Sequence, residues 1–425
     1  MRRILLADAD AFFVAVARAV DPEGAGRAPL LIVGGRPGSR GVVCSASYET
    51  RAFGVRSAMP ISTALRLCPQ AMCVPVPREC PTYSRAIRRV LERFTPDVEG
   101  ASIDEWYLDL SGTEALYLHE PLDATARRIR QSVHEETKMS VSIGGGTSKL
   151  IAKLAAERAK PSRSPEALGV YVVPASGELE FMSGVTLAEI PGIGPKLQAT
   201  LARLGLTTAS DVLPHELVTL ERWMGPKTAA WLYDRVRGIS RRSVQPRSPA
   251  KQMSREETFD RDIADPVKLA SELRHLASKV AADLRADGMS ARTISVKLRE
   301  HDFTTRSASR TLREPVESDR AIAETACALL TKLRAERTVS ARLVGVALSG
   351  FSAARGAEQL SIFNAALDAG GATEVARDRE LSRAVDSVRE KFGDDAIRTG
   401  PRRRVPVGEK GARNPKDSRE FRGES

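Results

Sequence analysis

The sequence predicts an α+β protein of several domains, and three observations lead to that prediction. The 425 residues exceed what a single hydrophobic core usually supports. Short apolar strand patterns alternate with amphipathic helices in the N-terminal half, and residues 186–206 place a glycine-rich turn between helical patterns. From Ser254 onward the pattern indicates strand, helix, strand, strand, helix, strand. This order predicts a ferredoxin-like sheet with both helices on one face.

Composition and charge narrow the class of protein. The formal net charge of +11 and the pI near 9.6 favour a polyanionic partner, and nucleic acid fits better than a charge that serves solubility alone. No apolar run approaches the roughly 20 residues of a membrane span, and Arg2-Arg3 leads directly into a strand instead of a leader's apolar segment. The 5 cysteines show no CxxC spacing, so neither zinc nor disulfides are indicated.

Two acidic stretches carry the candidate chemistry. Asp104 and Glu105 lie where one short strand pattern gives way to the next, which predicts a tight hairpin between two strands. Asp8 ends an apolar strand pattern at the N-terminus. Adjacent carboxylates at a partly dry sheet end need a cation, and Mg²⁺ is the hard divalent ion that suits them. The alternative, that these are solvated acids at strand ends, stays open from the two stretches alone.

The surrounding residues resemble a known family. Asp8-Ala9-Asp10-Ala11-Phe12-Phe13, the stretch from Ser47 to Pro60 (SYETRAFGVRSAMP) and Ser102-Ile103-Asp104-Glu105 are similar to the three palm and finger motifs of the Y-family translesion DNA polymerases. The bacterial polymerase IV type is the most similar kind, and the resemblance covers roughly residues 1–395. It implies a right-hand polymerase with palm, fingers, helix-hairpin-helix thumb and ferredoxin-like little finger.

The resemblance also implies the active-site residues. The predicted catalytic acids are Asp8, Asp104 and Glu105, which would hold two Mg²⁺ together with Ala9. The predicted nucleotide contacts are Phe12, Phe13, Ser45, Tyr48, Arg51 and Lys160. Phe13 would be the steric gate that excludes a ribose 2′-OH, whereas the Phe12 side chain is expected in the core. Asp10 is expected to shape the turn and not to bind metal.

The roof of the nascent base pair is predicted to be small. By register with the family it consists of Val42, Cys44 and Ala58. A small roof tests base-pair shape loosely, so accuracy would be low and damaged template bases would be accommodated. Trp106 departs from the family, where a small residue usually follows the acid pair. A predicted glycine turn, Gly144 to Thr147, opens the next helix but lacks the spacing of a P-loop.

DNA contacts are predicted in two further places. Ile190-Pro191-Gly192-Ile193-Gly194-Pro195-Lys196 is a helix-hairpin-helix signature, in which Gly192, Gly194 and Lys196 would bind a phosphate. Residues 223–227 resemble a weaker second hairpin. In the little finger, Lys297 and Arg299 lie on a small-polar face that suits a sugar-phosphate backbone, although an ordinary solvated sheet face has the same pattern.

The C-terminal region carries a candidate peptide motif. Gln359-Leu360-Ser361-Ile362-Phe363 resembles the bacterial clamp-binding pentapeptide, with Gln359, Leu360, Ile362 and Phe363 as the contacts to a sliding clamp. The other expected partners are primer-template DNA and deoxynucleoside triphosphates. We expect a monomer without membrane contact, located in the bacterial cytoplasm and associated with the nucleoid.

The predicted domains are palm and fingers (1–180), thumb (181–240), linker (241–253), little finger (254–355) and a tail with the clamp motif (356–425). The predicted function is low-fidelity, template-directed translesion synthesis without a proofreading exonuclease. One alternative is a non-catalytic adaptor that keeps the DNA grip and the clamp motif. A second, a nuclease built on the helix-hairpin-helix, would need a metal cluster near that module, and the sequence shows none.

Overall fold

The structure, a computed structural model, describes residues 2–161, 169–246, 250–353, 374–393 and 396–397. The chain divides into two compact units, Met1–Pro249 and Ala250–Ser425. The finer division of the first unit into palm, fingers and thumb stays a prediction. No helix in the described ranges combines the length and the hydropathy that crossing a bilayer requires.

The first unit contains two sheets. The strands are β1 (Ile4–Ala9), β2 (Leu31–Gly34), β3 (Val43–Ala46), β4 (Met72–Val74), β5 (Val98–Gly100), β6 (Glu105–Asp109), β7 (Val141–Gly146) and β8 (Val170–Val172). The five-stranded sheet has the order β5-β6-β1-β7-β8, and a three-stranded sheet has the order β3-β2-β4. The short strands β4 and β8, which pair in parallel with β2 and β7, carry no clear strand pattern in the sequence.

The described residues of the first unit form eleven α-helices. They are α1 (Phe12–Val20), α2 (Tyr48–Ala52), α3 (Ile61–Leu67), α4 (Cys80–Leu91), α5 (Leu122–Thr137), α6 (Lys149–Ala159), α7 (Glu178–Ser183), α8 (Pro195–Arg203), α9 (Ala209–Val212), α10 (Leu217–Met224) and α11 (Pro226–Val236). Short 3₁₀ helices lie at Glu114–Tyr117, Ala175–Gly177 and Leu187–Glu189.

The five-stranded sheet is covered on both faces. One face packs against α4 and α5, and this core includes Trp106, which is 2% exposed. The other face packs Leu6 and Tyr107 against Ala152 and Ala156 of α6. Because successive strand residues point to opposite faces, Trp106 lies on the face opposite to Glu105. The unusual tryptophan is therefore a core residue.

The prediction of a glycine turn before α6 is wrong. Gly144 lies inside β7, where it pairs with Leu6 of β1. A Cβ on Gly144 would lie 2.0 Å from the backbone nitrogen of Ala156, so only glycine lets α6 approach this strand. The glycine run serves close packing between helix and sheet and not a loop.

The second unit has the predicted element order. Its elements are β9 (Gln252–Ile263), α12 (Pro266–Ala286), β10 (Met289–Glu300), β11 (Thr305–Val316), α13 (Asp319–Glu336), β12 (Ala341–Ala353) and α14 (Ala376–Phe392). The four-stranded sheet is antiparallel with the order β11-β10-β12-β9. The buried residues Ile294, Val296 and Leu298 pack with α12 and α13 in one core, so the alternate residues Lys297 and Arg299 lie on the opposite, polar face, as predicted.

Candidate active site

The structure brings two of the predicted acids together across paired strands. Asp8 of β1 and Glu105 of β6 are directly opposite each other in the antiparallel register. Asp104 immediately precedes β6, and its carbonyl oxygen accepts a hydrogen bond of 2.9 Å from the backbone N–H of Ala9. The predicted hairpin between β5 and β6 is confirmed. The three acids therefore lie at one end of the five-stranded sheet.

Lysines neutralise two of these three acids. Lys160, at the end of α6, places Nζ 2.9 Å from Asp8 and 2.7 Å from Glu157. Lys153 places Nζ 2.6 Å from Glu105 Oε1. Asp104 accepts a hydrogen bond from the Ser102 hydroxyl. In the part of the chain that the structure describes, no three acid, histidine or cysteine side chains are grouped closely enough to hold a metal ion by themselves.

The electrostatics of Asp8 still indicate a place for a cation. Burial raises the pKa of Asp8 to about 7, although the Lys160 ammonium opposes that rise, and the charge of Glu105 adds to it. Burial alone would lower the pKa of Lys160, but Asp8 and Glu157 raise it above its usual range. Because burial keeps Asp8 difficult to ionise even with the Lys160 ammonium beside it, a further positive charge would stabilise its carboxylate. Carboxylates of this kind fit Mg²⁺, whose ligands are oxygens.

Asp10 has a structural role, as expected. Its two carboxylate oxygens accept hydrogen bonds from Ser140 Oγ at 2.8 Å and Ser142 Oγ at 2.7 Å. Both serines lie on or next to β7, so Asp10 ties the turn after β1 to the neighbouring strand.

Two of the predicted triphosphate ligands form one group. Tyr48 and Arg51 share a face of α2, with the guanidinium 5.0 Å from the centre of the tyrosine ring. Arg51 Nε donates to the carbonyl oxygen of Ala46 at 3.0 Å, which orients the guanidinium. Burial, followed by the charge of Asp10, raises the pKa of Tyr48 to about 12, and Lys160 acts in the opposite direction. The tyrosine therefore stays a neutral hydrogen-bonding group near the acids.

The remaining predicted nucleotide contacts differ in exposure. Phe12 is 2% exposed and lies in the core, so its side chain is not available to a nucleotide. Phe13 is half-buried and meets Phe12 edge to face at 5.6 Å. Ser45 is 4% exposed within β3. Of these three, only Phe13 presents a side chain that could lie beneath a sugar.

The predicted roof residues share a surface. Val42 and Cys44 are exposed, and a hydrogen bond of 2.8 Å from the Ala58 N–H to the Val43 carbonyl holds Ala58 beside them. Ala58 has φ of 66°, an uncommon conformation for a residue other than glycine. The structure therefore holds a small side chain there at some conformational cost.

The glycine-rich turn has the expected form. Gly192 has φ of 103°, and Gly194 begins α8 without any neighbour that a Cβ would meet. Lys196 is exposed in the first turn of that helix. The weaker second hairpin is also present, since Gly225 has φ of 79° and begins α11. Both turns expose backbone N–H groups at a helix N-terminus, where an anion is favoured.

In the four-stranded sheet, Lys297 and Arg299 lie on the face opposite to the helices. Each has a partner: Lys297 Nζ lies 2.9 Å from Glu256 Oε2, and Arg299 Nε donates to Thr305 Oγ1 at 2.9 Å. Glu256 was not predicted to lie on this face. The predicted clamp-binding residues, Gln359 to Phe363, lie outside the described residues.

Sequence reasoning missed Lys153 and Glu157. Both lie on α6, at spacings of four and three residues that place them and Lys160 on neighbouring turns. The spacing was visible, but nothing in the pattern showed that this face of α6 lies over Asp8 and Glu105. Only the pairing of β1 with β6 and the packing of α6 on that sheet reveal it.

Family models match three parts of the chain. Residues 7–157 match the impB/mucB/samB family, and residues 250–362 match the C-terminal domain of that family. Residues 188–240 match a DNA polymerase-iota thumb domain.

Whole-chain relatives and solved structures agree with these matches. A DNA polymerase IV of Dehalococcoides mccartyi (strain CBDB1) is 36% identical over 94% of this chain and 97% of its own length. A DNA polymerase IV of Gluconobacter oxydans (strain 621H) is 36% identical over 83% of this chain and 96% of its own. A Y-family DNA polymerase chimera of Dbh and Dpo4 has a TM-score of 0.72 at 25% identity, covering 82% of this chain and 98% of its own. An insertion ternary complex of Dbh DNA polymerase gives 0.56 at the same identity and coverage.

Proposed function

This chain belongs to the Y family of DNA polymerases, and we propose that it extends a primer with two Mg²⁺ ions held by Asp8, Asp104 and Glu105. As a DNA-directed DNA polymerase of the translesion type, it uses template DNA and deoxynucleoside triphosphates and depends on a divalent metal. The observation that carries the metal assignment is that the buried Asp8 and the half-buried Glu105 lie opposite each other on β1 and β6. Asp104 and the backbone carbonyl of Ala9 would complete the set of oxygen ligands.

The reaction is an in-line attack of the primer 3′-OH on the α-phosphate of the nucleotide. Asp8, Asp104 and Glu105 would hold two Mg²⁺ ions, which would lower the pKa of the 3′-OH and bind the triphosphate, supplying several kcal/mol of transition-state stabilisation. Arg51 and Lys160 neutralise the charge that develops on the leaving pyrophosphate. The Tyr48 hydroxyl would donate a hydrogen bond to a phosphate oxygen, which requires that the tyrosine stay neutral.

Phe13 selects the sugar and the small roof tolerates damage. A half-buried ring at the start of α1 would lie beneath the deoxyribose and collide with a 2′-OH. The small side chains of Val42, Cys44 and Ala58 leave room for a distorted base pair. Synthesis would be of low fidelity, since no second acidic cluster suggestive of an exonuclease is seen in the sequence.

Weak, sequence-independent contacts would hold the DNA. The N-terminus of α8 at Gly194, together with Gly192 and Lys196, would bind a backbone phosphate. Lys297 and Arg299 would follow the sugar-phosphate backbone from the four-stranded sheet. Gln359 to Phe363 would attach the enzyme, as a monomer in the bacterial cytoplasm, to a sliding clamp at the nucleoid.

Primer extension tests the proposal directly. The purified protein is given undamaged primer-template, Mg²⁺ and deoxynucleotides, and is compared with Asp104→Ala/Glu105→Ala. We expect extension by the wild type and none by the double variant, with DNA binding retained in both. Wild-type protein that binds primer-template but adds no nucleotide, with or without clamp, would contradict the metal assignment and favour an adaptor.

A further inference from the structure

Helix α6 presents two lysines to two glutamates on adjacent strands. Lys149 Nζ lies 2.7 Å from both carboxylate oxygens of Glu99, on β5. One turn further along, Lys153 Nζ lies 2.6 Å from Glu105 Oε1, on β6. Both pairs join α6 to the same sheet, although Lys149 contacts both oxygens of its glutamate and Lys153 only one, and only Glu105 belongs to the proposed metal site. They form a natural comparison of an ordinary ion pair with one at the reaction centre.

The ammonium of Lys153 contacts one of the two carboxylate oxygens of Glu105, an acid that we assign to the metal site. A half-buried carboxylate prefers a nearby positive charge, and Lys153 already supplies it. A divalent ion bound at Glu105 would share the carboxylate with the ammonium and be repelled by it, so the ion pair weakens metal binding in the DNA-free protein.

Lys153 also borders a cavity that carries unbalanced positive charge. The cavity has a volume of about 540 Å³, and its lining includes one acid, Glu99, two aromatic residues, Tyr107 and Trp231, and four basic residues, Lys149, Lys153, Arg235 and Arg242. Burial, followed by the repulsion of Arg242, lowers the pKa of Arg235. Gly192 of the helix-hairpin-helix turn lies on the same wall. Basic and aromatic side chains around a space of this size suit a phosphodiester with its sugar.

We propose that Lys153 is a positioning residue that couples DNA binding to metal binding. In the free protein it neutralises Glu105. When a backbone phosphate of the primer strand enters the cavity, the Lys153 ammonium turns to that phosphate and leaves Glu105 to the metal. DNA and divalent ions then strengthen each other's binding by the same factor, as linkage requires. The inference depends on the proposed metal role of Glu105.

Manganese binding tests this coupling without any reaction. Free Mn²⁺ is measured by electron paramagnetic resonance in titrations of the full-length protein, with and without primer-template that ends in a dideoxynucleotide, and without nucleotide. We expect DNA to lower the wild-type Kd for Mn²⁺ by about five- to tenfold, within the usual range of such couplings. In Lys153→Met the DNA-free Kd should already be about fivefold lower, and DNA should lower it further by less than about twofold.

Three variants separate the possible causes. Lys149→Met removes an equivalent lysine one turn away and should leave the DNA-free Kd within about twofold of wild type. Lys153→Arg keeps the charge and should behave as wild type, while Lys153→Gln should repeat the effect of Lys153→Met. Melting temperatures verify that each variant is folded.

The outcomes distinguish this inference from the proposed function. A Lys153→Met protein with the wild-type Kd, or a Lys149→Met protein with the same gain, would overturn the coupling through Lys153 and leave the metal site intact. If Asp104→Ala/Glu105→Ala binds Mn²⁺ as the wild type does, the proposed metal site itself is wrong.

Discussion

The five-stranded and four-stranded sheets of this protein use their polar residues in opposite ways. In the five-stranded sheet, helices cover both faces, and two of the proposed catalytic acids, Asp8 and Glu105, lie together at one end. In the four-stranded sheet, both helices pack on one face and small polar residues spread over the other. At the end of the five-stranded sheet, activity should depend on every acid, because all of them would bind the same metal ions. On the open face of the four-stranded sheet, DNA binding would be spread over many side chains, so each of them contributes little.

The largest expected effect is therefore at Asp8. Asp8→Asn keeps the shape of the side chain but removes a metal ligand, and we expect primer extension to slow by at least about 10³-fold, or about 4 kcal/mol. Asp10→Asn is the matched control, since Asp10 is bound by Ser140 and Ser142 and should tolerate an amide. Single-turnover extension rates measure both. Similar losses of extension rate in the two variants would mean that catalysis does not depend specifically on Asp8.

Substitution of Phe13 tests whether sugar selection also depends on a single residue. In Phe13→Ala the obstacle to a 2′-OH is gone, and the preference for deoxynucleotides over ribonucleotides should fall by roughly 10- to 200-fold, the range for one group in an apolar pocket. The ratio of kcat/KM for the two nucleotides measures it. Phe13→Tyr keeps the flat ring and should keep the preference. A ratio that Phe13→Ala leaves unchanged would reduce Phe13 to a packing partner of Phe12.

The sequence was sufficient to predict much of this arrangement. The alternation of apolar residues predicted β10. The apolar run that begins at Ile4 predicted β1, with Asp8 near its end. Local period and turn chemistry determine such elements, because each is visible within a dozen residues. The acid pair and its hairpin were predictable for the same reason.

Long-range features were not predictable in this way. The lysines opposite Asp8 and Glu105 depend on where α6 lies against the sheet, which is a tertiary property. The glycine run was misread as a turn, because a glycine that permits a helix to approach looks in sequence like a glycine that permits a bend. Short strands such as β4 are defined by their pairing with β2 and not by their own pattern.

The glycines of the two sheets provide a stability test of the comparison. A Cβ on Gly144 would collide with backbone atoms of α6, 2.0 Å from the Ala156 nitrogen, whereas on Gly345 of β12 it would first meet the flexible Glu256 side chain at 2.6 Å. We expect Gly144→Ala to lower the free energy of unfolding by about 1–3 kcal/mol, and Gly345→Ala by less than about 1 kcal/mol. Thermal unfolding of the full chain measures both. Equal losses in the free energy of unfolding would show that the two sheets tolerate an added Cβ equally poorly.

The smallest effects are expected on the open face of the four-stranded sheet. Lys297 is held by Glu256 at 2.9 Å, so it must leave this partner to reach a phosphate. Lys297→Ala should weaken primer-template binding less than tenfold and lower the slope of log K against log salt by about 0.9, the value for one lost phosphate contact. Glu256→Gln should act in the opposite direction and tighten binding, because it frees the ammonium. Fluorescence anisotropy at several salt concentrations measures both slopes and affinities. If Lys297→Ala alone abolished DNA binding, the open face would depend on one residue as strongly as the end of the five-stranded sheet does. The proposed difference between the two sheets would then be wrong.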